Sequence, residues 1–554
     1  MRVSLQKWVK DGDPWIWINA GAVAISMIMV FGLLFLIASR GLVHFWPHDV
    51  MEAEFVAKNG ERSLIIGELV ESEMVPAAQL QGAGYSVPQG VEFMQRNLMK
   101  IGNRDVNGAD FRWVVDDSLE NRRFPEEIMV LERREWGNFY GYLKQVKEAG
   151  QVVAEGDKAW PELEKRIARA LELYAQIHDI EKVEIGGINS RMERLRLKER
   201  RLELEGENTP ENLLSIEEDR AELDAEYQAL QQRLIQLYEQ INRDSLVATT
   251  MGGQERTIDL AKVVHAYQPN AMSIADKIGF YIGKLYEFVS DEPREANTEG
   301  GIFPAIYGTV LMVIVMSIMV TPFGVVAAVY LREYAHQGSL TRLIRIAVNN
   351  LAGVPSIVYG VFGLGFFIYF IGSGIDQAFF PEALPSPTFG TGGLLWASIT
   401  LAILTLPVVI VATEEGLARI PRSMREGSLA LGATKAETLW RVILPMASPA
   451  MMTGVILAIA RAAGEVAPLM LVGVVKLAPS LPLDGNYPYL HLDQKFMHLG
   501  FHIYDVGFQS PNVEAARPLV YATSLLLVIV IALLNLTAVA IRNRLREKYK
   551  ALEM

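Results

Sequence analysis

The sequence contains no cysteine. This absence excludes a disulfide scaffold, cysteine-ligated metal, iron–sulfur clusters and thiol catalysis. The sequence also lacks a GxxxxGK(S/T) segment and an HExxH segment, so it has neither a phosphate-cradling nucleotide loop nor this zinc motif. His491, His498 and His502 share one segment, but without the cysteines or dense carboxylates of a metal site. We therefore predict no catalytic or metal centre in this chain.

Positive charge is also in deficit, with 52 Lys and Arg against 64 Asp and Glu. This balance argues against a nucleic-acid binder, because such proteins present a basic face. The imbalance is local: residues 47–300 hold 31 basic and 48 acidic residues, whereas the rest of the chain holds 21 and 16. An acidic, polar block is therefore inserted into an apolar, slightly basic protein.

Long apolar runs make up much of the remainder. Six of them approach the roughly 20 residues that a bilayer crossing requires. The first is too long for the apolar core of a cleaved signal peptide, so we predict that it is a retained membrane helix. The predicted spans are Trp15–Ser39, Ile302–Tyr330, Ala347–Ile371, Leu394–Thr413, Ala450–Val475 and Pro518–Ile541.

Lysine and arginine are concentrated in the short segments on one side of these spans. The segment between the third and fourth spans has none. Since cytoplasmic segments carry such an excess, we predict that both termini are cytoplasmic. The contributors near the termini include Arg2, Lys7, Lys10 and Lys550. The predicted domains are a cytoplasmic N-terminus with the first span (1–46), an external acidic domain (47–300), a core with five further spans (301–541) and a basic cytoplasmic tail (542–554).

The external block contains a pattern typical of coiled coils. Apolar residues from Leu223 to Ile241 recur at alternating spacings of four and three, which is a heptad seam. The segment from Ile188 to Leu202 has the same phase, and Glu207–Pro210 separates the two. We predict short strands at Ser63–Val75, Leu246–Thr250 and Thr257–Leu260 in this domain. We also predict an antiparallel helical hairpin that stands in the external space. The hairpin is either a docking arm for a partner or a solvated, self-packing spacer.

A single apolar stripe also runs along Met272–Val289, just before the second span. The stripe has the spacing of one face of a helix. This helix lies either on the membrane surface or against the folded external domain.

The most informative segment is 414–445, between the fourth and fifth spans. Gly432 interrupts a short helix, because glycine permits the left-handed backbone of a sharp turn. Thr434 and Glu437 have the spacing of a capping box at the start of a second helix, which we expect Pro445 to close. The segment therefore predicts two short helices joined by a glycine elbow. Such an elbow can act as a rigid lever that fits into a groove of another protein and transmits force.

This segment resembles the EAA-type coupling loop of ABC-importer permeases. Glu426, then Gly432 six residues later, then Val442-Ile443-Leu444-Pro445 carry the match, although Glu426-Gly427-Ser428 stands where that family often has Glu-Ala-Ala. The runs at 349–360 and 460–469 are similar to the PstA family of phosphate-importer permeases. The resemblance covers about 300–541 and, weakly, the first span, but not the inserted block. The residues it assigns to ATPase coupling are Glu426, Gly432, Ala433, Leu444 and Pro445.

The resemblance implies an α-helical polytopic membrane protein of the ABC type I importer permease class, here with six transmembrane helices. The inserted part is predicted to be an α+β external domain with a helical hairpin. The resemblance also implies a bacterial inner membrane location with the insert in the periplasm. The implied partners are a second permease (PstC-like), a cytoplasmic ATPase dimer (PstB-like) and an external phosphate-binding protein (PstS-like). ATP and Mg belong to the ATPase, and this chain would bind no cofactor.

Two charges fall inside the predicted fifth span. Arg461 and Glu465 are four residues apart and so share one helix face. Charges at membrane depth are retained where they pair or line a wet path. We interpret the pair as part of an anion path, with an ion pair that locks the span as the alternative. The secondary path candidates are Asn349, Asn350 and Ser356.

These patterns together predict one permease subunit of an ATP-driven phosphate importer, forming half of its translocation path. A transport-linked phosphate sensor and an envelope anchor that uses the hairpin remain alternatives. The residues alone do not distinguish phosphate from sulfate or another oxyanion.

Overall fold

The computed structural model describes residues 12–549, except 86, 89, 511 and 512. Within this part, six helices are long and apolar enough to cross a membrane, as predicted. A domain built on two antiparallel sheets lies between the first and second of them. Four basic residues used above for orientation lie outside the described residues, namely Arg2, Lys7, Lys10 and Lys550.

The first span is helix α1 (Asp13–Val43). Its apolar side chains are exposed around the helix, which is the pattern of a helix that faces lipid or another subunit. It meets the rest of the chain near its outer end. There a Cβ on Gly41 would lie 2.8 Å from the backbone nitrogen of Ala522, so a glycine is needed for this close approach of two helices.

The first sheet of the external domain is antiparallel, with the strand order β4-β3-β2-β1-β5. The predicted strand at 63–75 lies within its longest member, β2. One face buries aliphatic side chains, including Ile65 and Met99, in a small core. The elements are β1 (Val50–Val56), β2 (Arg62–Pro76), α2 (Ala77–Gly82), β3 (Phe93–Lys100), α3 (Arg104–Asn107), β4 (Phe111–Val115) and β5 (Leu119–Arg123).

The second sheet has the order β10-β9-β7-β6-β11, with β8 beside β7. All of its pairs are antiparallel, for example Met129 opposite Gly141. Its inner face packs against a helix through a core that includes Phe139 and Leu163. The strands are β6 (Ile128–Arg133), β7 (Phe139–Glu148), β8 (Gln151–Glu155), β9 (Asp244–Thr249), β10 (Glu255–Asp259) and β11 (Val263–Tyr267).

Helices inserted between β8 and β9 form the predicted hairpin. Thr209 caps the returning arm by accepting a hydrogen bond from the Asn212 N–H at 3.3 Å. Ile188, Leu223 and Leu237 are buried between the arms and the domain, as the heptad pattern predicts. The outgoing arm is α4 (Ala159–Asp179), a π-helical turn (Ile180–Glu184) and α5 (Ile185–Glu205); the returning arm is α6 (Pro210–Ile241).

The hairpin does not project as an isolated arm, because its outgoing arm contacts the membrane core. Arg201 on α5 forms an ion pair with Glu382, whose side chain is only 3% exposed, in the loop after the third span. Arg194 donates a hydrogen bond to the Tyr487 carbonyl at 3.1 Å, in the loop after the fifth span. The arginines of α5 thus find acceptors on the membrane core, and the hairpin lies against the loops that follow its third and fifth spans.

Helix α7 (Ile274–Ser290) corresponds to the predicted apolar stripe. One side buries Phe288 against the fold, whereas Ile274, Ile282 and Tyr286 on the other side are exposed. The buried side shows that the helix packs against protein, whereas the membrane-surface setting of its exposed side stays a prediction. Two short strands, β12 (Pro293–Arg294) and β13 (Glu299–Gly300), then lead the chain into the second span.

The membrane core consists of the remaining five spans and their connections. The second span is α8 (Phe303–Val329) with a π-helical turn to Tyr334, and α9 (Ser339–Leu351) follows it. The third span comprises α10 (Ser356–Phe362), a π-helical segment (Gly363–Gly372) and α11 (Ser373–Phe379), and the fourth is α12 (Leu394–Arg419). Then come α13 (Arg422–Ala430), α14 (Lys435–Thr438), a π-helical turn (Leu439–Ile443), α15 (Leu444–Gly464), α16 (Leu469–Val472), α17 (Leu499–Tyr504) and α18 (Val513–Tyr549), the sixth span.

Two spans differ from their predicted limits. The predicted Ala347–Ile371 run is divided, because Pro355 disfavours a helical backbone at the preceding residue, and the span begins at Ser356. The predicted Ala450–Val475 span instead runs from Lys435 to Gly464. Its last predicted residues are apolar because Leu469 and Val472 are fully buried in the core, not because they cross the membrane in the same helix.

Small residues allow the central spans to approach closely. A Cβ on Gly324 of α8 would lie 2.6 Å from Val409 of α12. A Cβ on Gly454 of α15 would lie 2.7 Å from Ala412 of α12. Such contacts are typical of membrane helix packing, where van der Waals complementarity replaces the hydrophobic effect. The two approaches fix α12 at the centre of the core.

Candidate functional site

The predicted glycine elbow is present in the connection between the fourth and fifth spans. Gly432 has φ +89°, a conformation that side chains strongly disfavour. The Thr434 hydroxyl accepts a hydrogen bond from the Glu437 N–H at 3.2 Å, and the Glu437 carboxylate accepts one from the Thr434 N–H at 2.9 Å. The predicted capping box is thus confirmed, and α13 and α14 meet at a defined angle.

We call residues 422–443 the knob. Its tip presents apolar side chains to solvent. Leu431 is 91% exposed and Trp440 is 74% exposed. Glu426 and Gly432 are also exposed, and Ala433 is partly exposed. An apolar tip on a loop outside the membrane marks a protein-interaction surface.

The base of the knob is anchored to the membrane core. Arg425 forms an ion pair with Glu333 at the end of the second span, at 2.8 Å. The same guanidinium donates to the carbonyls of Ile420 at 2.8 Å and Leu417 at 2.9 Å. Sequence analysis did not single out Arg425 or Glu333. Their opposite charges, in segments assigned to the same side of the membrane, were the available signal.

Pro445 does not close the second helix of the knob, contrary to the prediction. It occupies the first turn of α15, where a missing N–H costs little. The π-helical turn at Leu439–Ile443 precedes it, and such a wider turn accommodates an irregular hydrogen-bond pattern. Leu444 and Pro445 therefore join the knob to the fifth span without a break.

Arg461 and Glu465 lie at the other end of α15. The Arg461 Nε and Glu465 Oε1 atoms are 3.6 Å apart, and the side chains are 30% and 22% exposed. The helix ends at Gly464, so Glu465 follows its last turn in an extended conformation. The two charges thus form a loose pair at a helix end, open on one side.

The secondary path candidates lie nearby. Asn349 and Asn350 are exposed at the end of α9, and Ser356 begins α10. The Tyr359 hydroxyl donates a hydrogen bond to the Leu351 carbonyl at 2.7 Å and interacts electrostatically with Arg461. Tyr359 therefore connects the 349–356 segment with the charged end of α15.

The histidines do not form a metal site among the described residues. His498 and His502 are buried, and burial lowers the pKa of each to about 4. His491 instead forms a hydrogen bond with Asp484 at 2.9 Å. In the external domain, Glu132, His265 and Glu287 offer ligand atoms within 4.8 Å of one another. The Lys284 ammonium pairs with both of these carboxylates, so a cation already occupies that cluster.

Comparison with known proteins identifies relatives of the membrane core. Residues 320–550 match the family described as "Binding-protein-dependent transport system inner membrane component". Over 247 residues the chain is 36% identical to "Phosphate transport system permease protein PstA 1" of Mycobacterium tuberculosis (strain CDC 1551 / Oshkosh), covering 44% of this chain and 71% of the relative.

Two further matches cover similar shares. The chain is 34% identical over 276 residues to "Phosphate transport system permease protein PstA" of Mycobacterium leprae (strain TN), covering 49% of this chain and 81% of the relative. Among solved structures, the inward-facing MetNI methionine ABC transporter in its CY5 native crystal form aligns with 44% of this chain and 94% of its own, at 20% identity and a TM-score of 0.33.

Proposed function

This chain belongs to the PstA family of binding-protein-dependent transport permeases, and we propose that its membrane core forms half of the translocation path of an ATP-driven phosphate importer. It is a multi-pass inner membrane protein. Since the members of the family are permeases, we assign the chain a transport role and no catalytic activity of its own. The observation that best supports coupling to a motor is the exposed apolar knob joined without a break to the fifth span.

In the proposed cycle, the knob receives motion from a cytoplasmic ATPase dimer (PstB-like), which would bind the ATP and Mg. Leu431 and Trp440 would enter a groove of the ATPase, because burying exposed apolar surface stabilises such a contact. Glu426 and Ala433 flank the tip and would complete the contact. The anchoring ion pair between Arg425 and Glu333 would carry the displacement into the second span as well as the fifth.

The path itself would be completed by a second permease (PstC-like), and phosphate would be delivered by an external binding protein (PstS-like). Arg461 would attract the anion. Glu465 would hold the arginine and moderate its affinity, because an anion bound too tightly is not released. The partial exposure of both side chains in a single subunit supports this assignment, since half of a path is open where the other half docks. Asn349, Asn350 and Ser356 would add neutral hydrogen-bonding groups.

The proposed orientation places both termini and the knob in the cytoplasm and residues 47–300 in the periplasm. Because the natural chain has no cysteine, a single introduced cysteine reports one position only. Leu431→Cys should form a cross-link to the ATPase in the assembled complex, whereas Leu204→Cys on the external hairpin should not. A membrane-impermeant thiol reagent added to spheroplasts should label Leu204→Cys alone. If Leu431→Cys also forms no cross-link to the ATPase in an active transporter, the coupling assignment is rejected.

The path assignment is tested by phosphate uptake into proteoliposomes that contain the full complex. Arg461→Ala should lower uptake about tenfold or more, the effect expected for a lost charge-assisted contact with the anion, and Arg461→Lys should restore part of it. Exposed Arg342 on α9 provides a matched control. If Arg461 only locks the span, Arg461→Ala and Glu465→Gln will lower thermal stability equally and leave the KM for phosphate unchanged. Competition by sulfate measures the selectivity among oxyanions.

A further inference from the structure

A cavity of about 950 Å³ lies where the first span, the external domain and the start of the last span meet. Leu36, Ser39, Arg40 and Val43 of α1 line it, and their spacing places them on one face of that helix. These residues cover about 10 Å of the helix axis. In the orientation proposed above, the cavity thus extends from the outer end of α1 down to the level of the outer leaflet.

The lower wall of the cavity is apolar. Leu36 and Val43 face Leu519 and Tyr521 of α18 across it. Phe45 closes one side and packs on Phe288, with ring centroids 4.9 Å apart. Because Leu36 and Val43 are exposed, this wall continues into the outer surface of α1. An acyl chain that lies along that surface can therefore enter the cavity from the membrane.

The upper wall is charged, and most of its charges neutralise one another. Lys284 pairs with Glu132 and Glu287, and Arg294 pairs with Glu287. Arg104 pairs with Glu295 and, at 3.6 Å, with Asp110, and Arg517 pairs with Glu71 at 3.3 Å. These groups form a fixed polar frame.

Three charged groups among the described lining residues belong neither to this frame nor to any other side-chain contact; Glu68, also outside the frame, accepts a hydrogen bond from the Tyr140 hydroxyl at 2.8 Å. Among the described residues, neither Arg40 nor Lys100 forms an ion pair or side-chain hydrogen bond, and the Glu299 carboxylate also has no partner. Both Glu299 and Lys100 line the cavity. Burial raises the pKa of the Glu299 carboxyl, and the positive charge of Lys100 opposes that rise.

The unused charges have both signs, and they lie above an apolar wall. A simple anion would satisfy Lys100 and Arg40 but would leave Glu299 unpaired, and a simple cation would do the reverse. A phosphate bonded through a short linker to an ammonium satisfies both, because each charge meets its opposite in a partly desolvated site. The position at the outer membrane surface supplies such a group attached to acyl chains.

We propose that this cavity binds a zwitterionic phospholipid, phosphatidylethanolamine, of the outer leaflet. The phosphate contacts Lys100 and Arg40, the ammonium contacts Glu299, and one acyl chain follows Leu36 along α1 into the membrane. The bound lipid joins the first span, the external domain and the last span, which otherwise meet around a polar void.

The test is lipid analysis of the full-length chain. The protein is extracted in mild detergent from membranes with equal amounts of phosphatidylethanolamine and phosphatidylglycerol, and the retained lipids are quantified per protein. The wild type should retain phosphatidylethanolamine in preference. Lys100→Ala should lower the retained amount about tenfold, the effect of one lost charge-assisted contact. Glu299→Gln should keep lipid but remove the preference. Lys165→Ala, at an exposed lysine elsewhere in the external domain, should behave as wild type.

Lys100→Gln, which keeps a long polar side chain, is measured alongside Lys100→Ala, and circular dichroism checks that both fold. Equal retention of the two lipids by the wild type would overturn the proposal. So would retention in Lys100→Gln and Lys100→Ala that matches Lys165→Ala. Inorganic phosphate and soluble phosphoethanolamine are tested by thermal denaturation. If either stabilises the wild type as strongly as phosphatidylethanolamine vesicles do, and Lys100→Ala abolishes that stabilisation whereas Arg461→Ala does not, the cavity is a site for a free solute and the lipid assignment is wrong.

Discussion

Replacing Arg425 with alanine should uncouple the knob from the second span. The Arg425 guanidinium bonds to the Glu333 carboxylate and to two backbone carbonyls, all within 2.9 Å. Hydrogen bonds to charged groups contribute about 1.5–3 kcal/mol each in protected sites. The Arg425 and Glu333 side chains are only 21% and 13% exposed, but we discount for solvent screening and take about 2 kcal/mol in total. That loss shifts the balance between the anchored and detached knob about 30-fold.

The assay measures phosphate taken up per ATP hydrolysed by the reconstituted complex. Arg425→Ala should lower this ratio while ATP hydrolysis continues, because the motor still turns over but its motion is not delivered. Arg422→Ala is the matched control, since Arg422 lies on the same helix and is exposed. A double-mutant cycle with Glu333→Gln should give a coupling energy of about 1–2 kcal/mol. An uptake ratio in Arg425→Ala equal to that in Arg422→Ala would refute the reasoning.

Further predictions concern the elbow, the buried histidines and the hairpin. Gly432→Val should slow uptake severalfold and destabilise the knob by about 1–2 kcal/mol, because valine resists a positive φ; normal uptake would contradict this. His498 and His502 have pKa values of about 4 in the folded protein, against about 6.5 when unfolded. Between these two pKa values the unfolded state therefore binds more protons than the folded state. The melting temperature should fall as the pH drops from 6.5 towards 4. A His498→Gln, His502→Gln double variant should show a weaker dependence of the melting temperature on pH. Arg201→Ala should raise hydrogen exchange in α5, because the hairpin loses its ion pair with the membrane core. Arg196→Ala should not, because the partner of Arg196 lies on the same helix. Equal exchange in both variants would show that the ion pair does not hold the hairpin.

Local signals were sufficient to predict much of the knob. Glycine at a positive φ and a threonine three residues before a glutamate each act within one turn of chain, so Gly432 and Thr434 could be interpreted without the rest of the fold. The role of Pro445 was predicted incorrectly because local sequence alone does not decide it. Whether a proline ends a helix or begins one depends on the preceding turn, and here that turn is π-helical.

The long-range contacts could not be predicted from the sequence patterns. Nothing in the heptad pattern of the hairpin indicates that Arg201 meets Glu382, which is 181 residues away. Hydropathy likewise placed the fifth span too late, because it cannot distinguish residues that cross a membrane from residues such as Leu469 that are buried in protein. The pairing of Arg461 with Glu465 was accessible because the two residues are only four positions apart, Arg461 in the last turn of α15 and Glu465 directly after it.

The unbroken connection between the knob and α15 has a geometric consequence. From Leu444 to Arg461 the helix rises about 26 Å. If its inner end is pushed sideways so that the axis tilts by about 10°, the guanidinium at its outer end is displaced by roughly 4–5 Å relative to the inner end. That distance exceeds the length of an ion pair. A modest stroke of the proposed motor would therefore be enough to bring a positive charge to a passing anion, or to withdraw it.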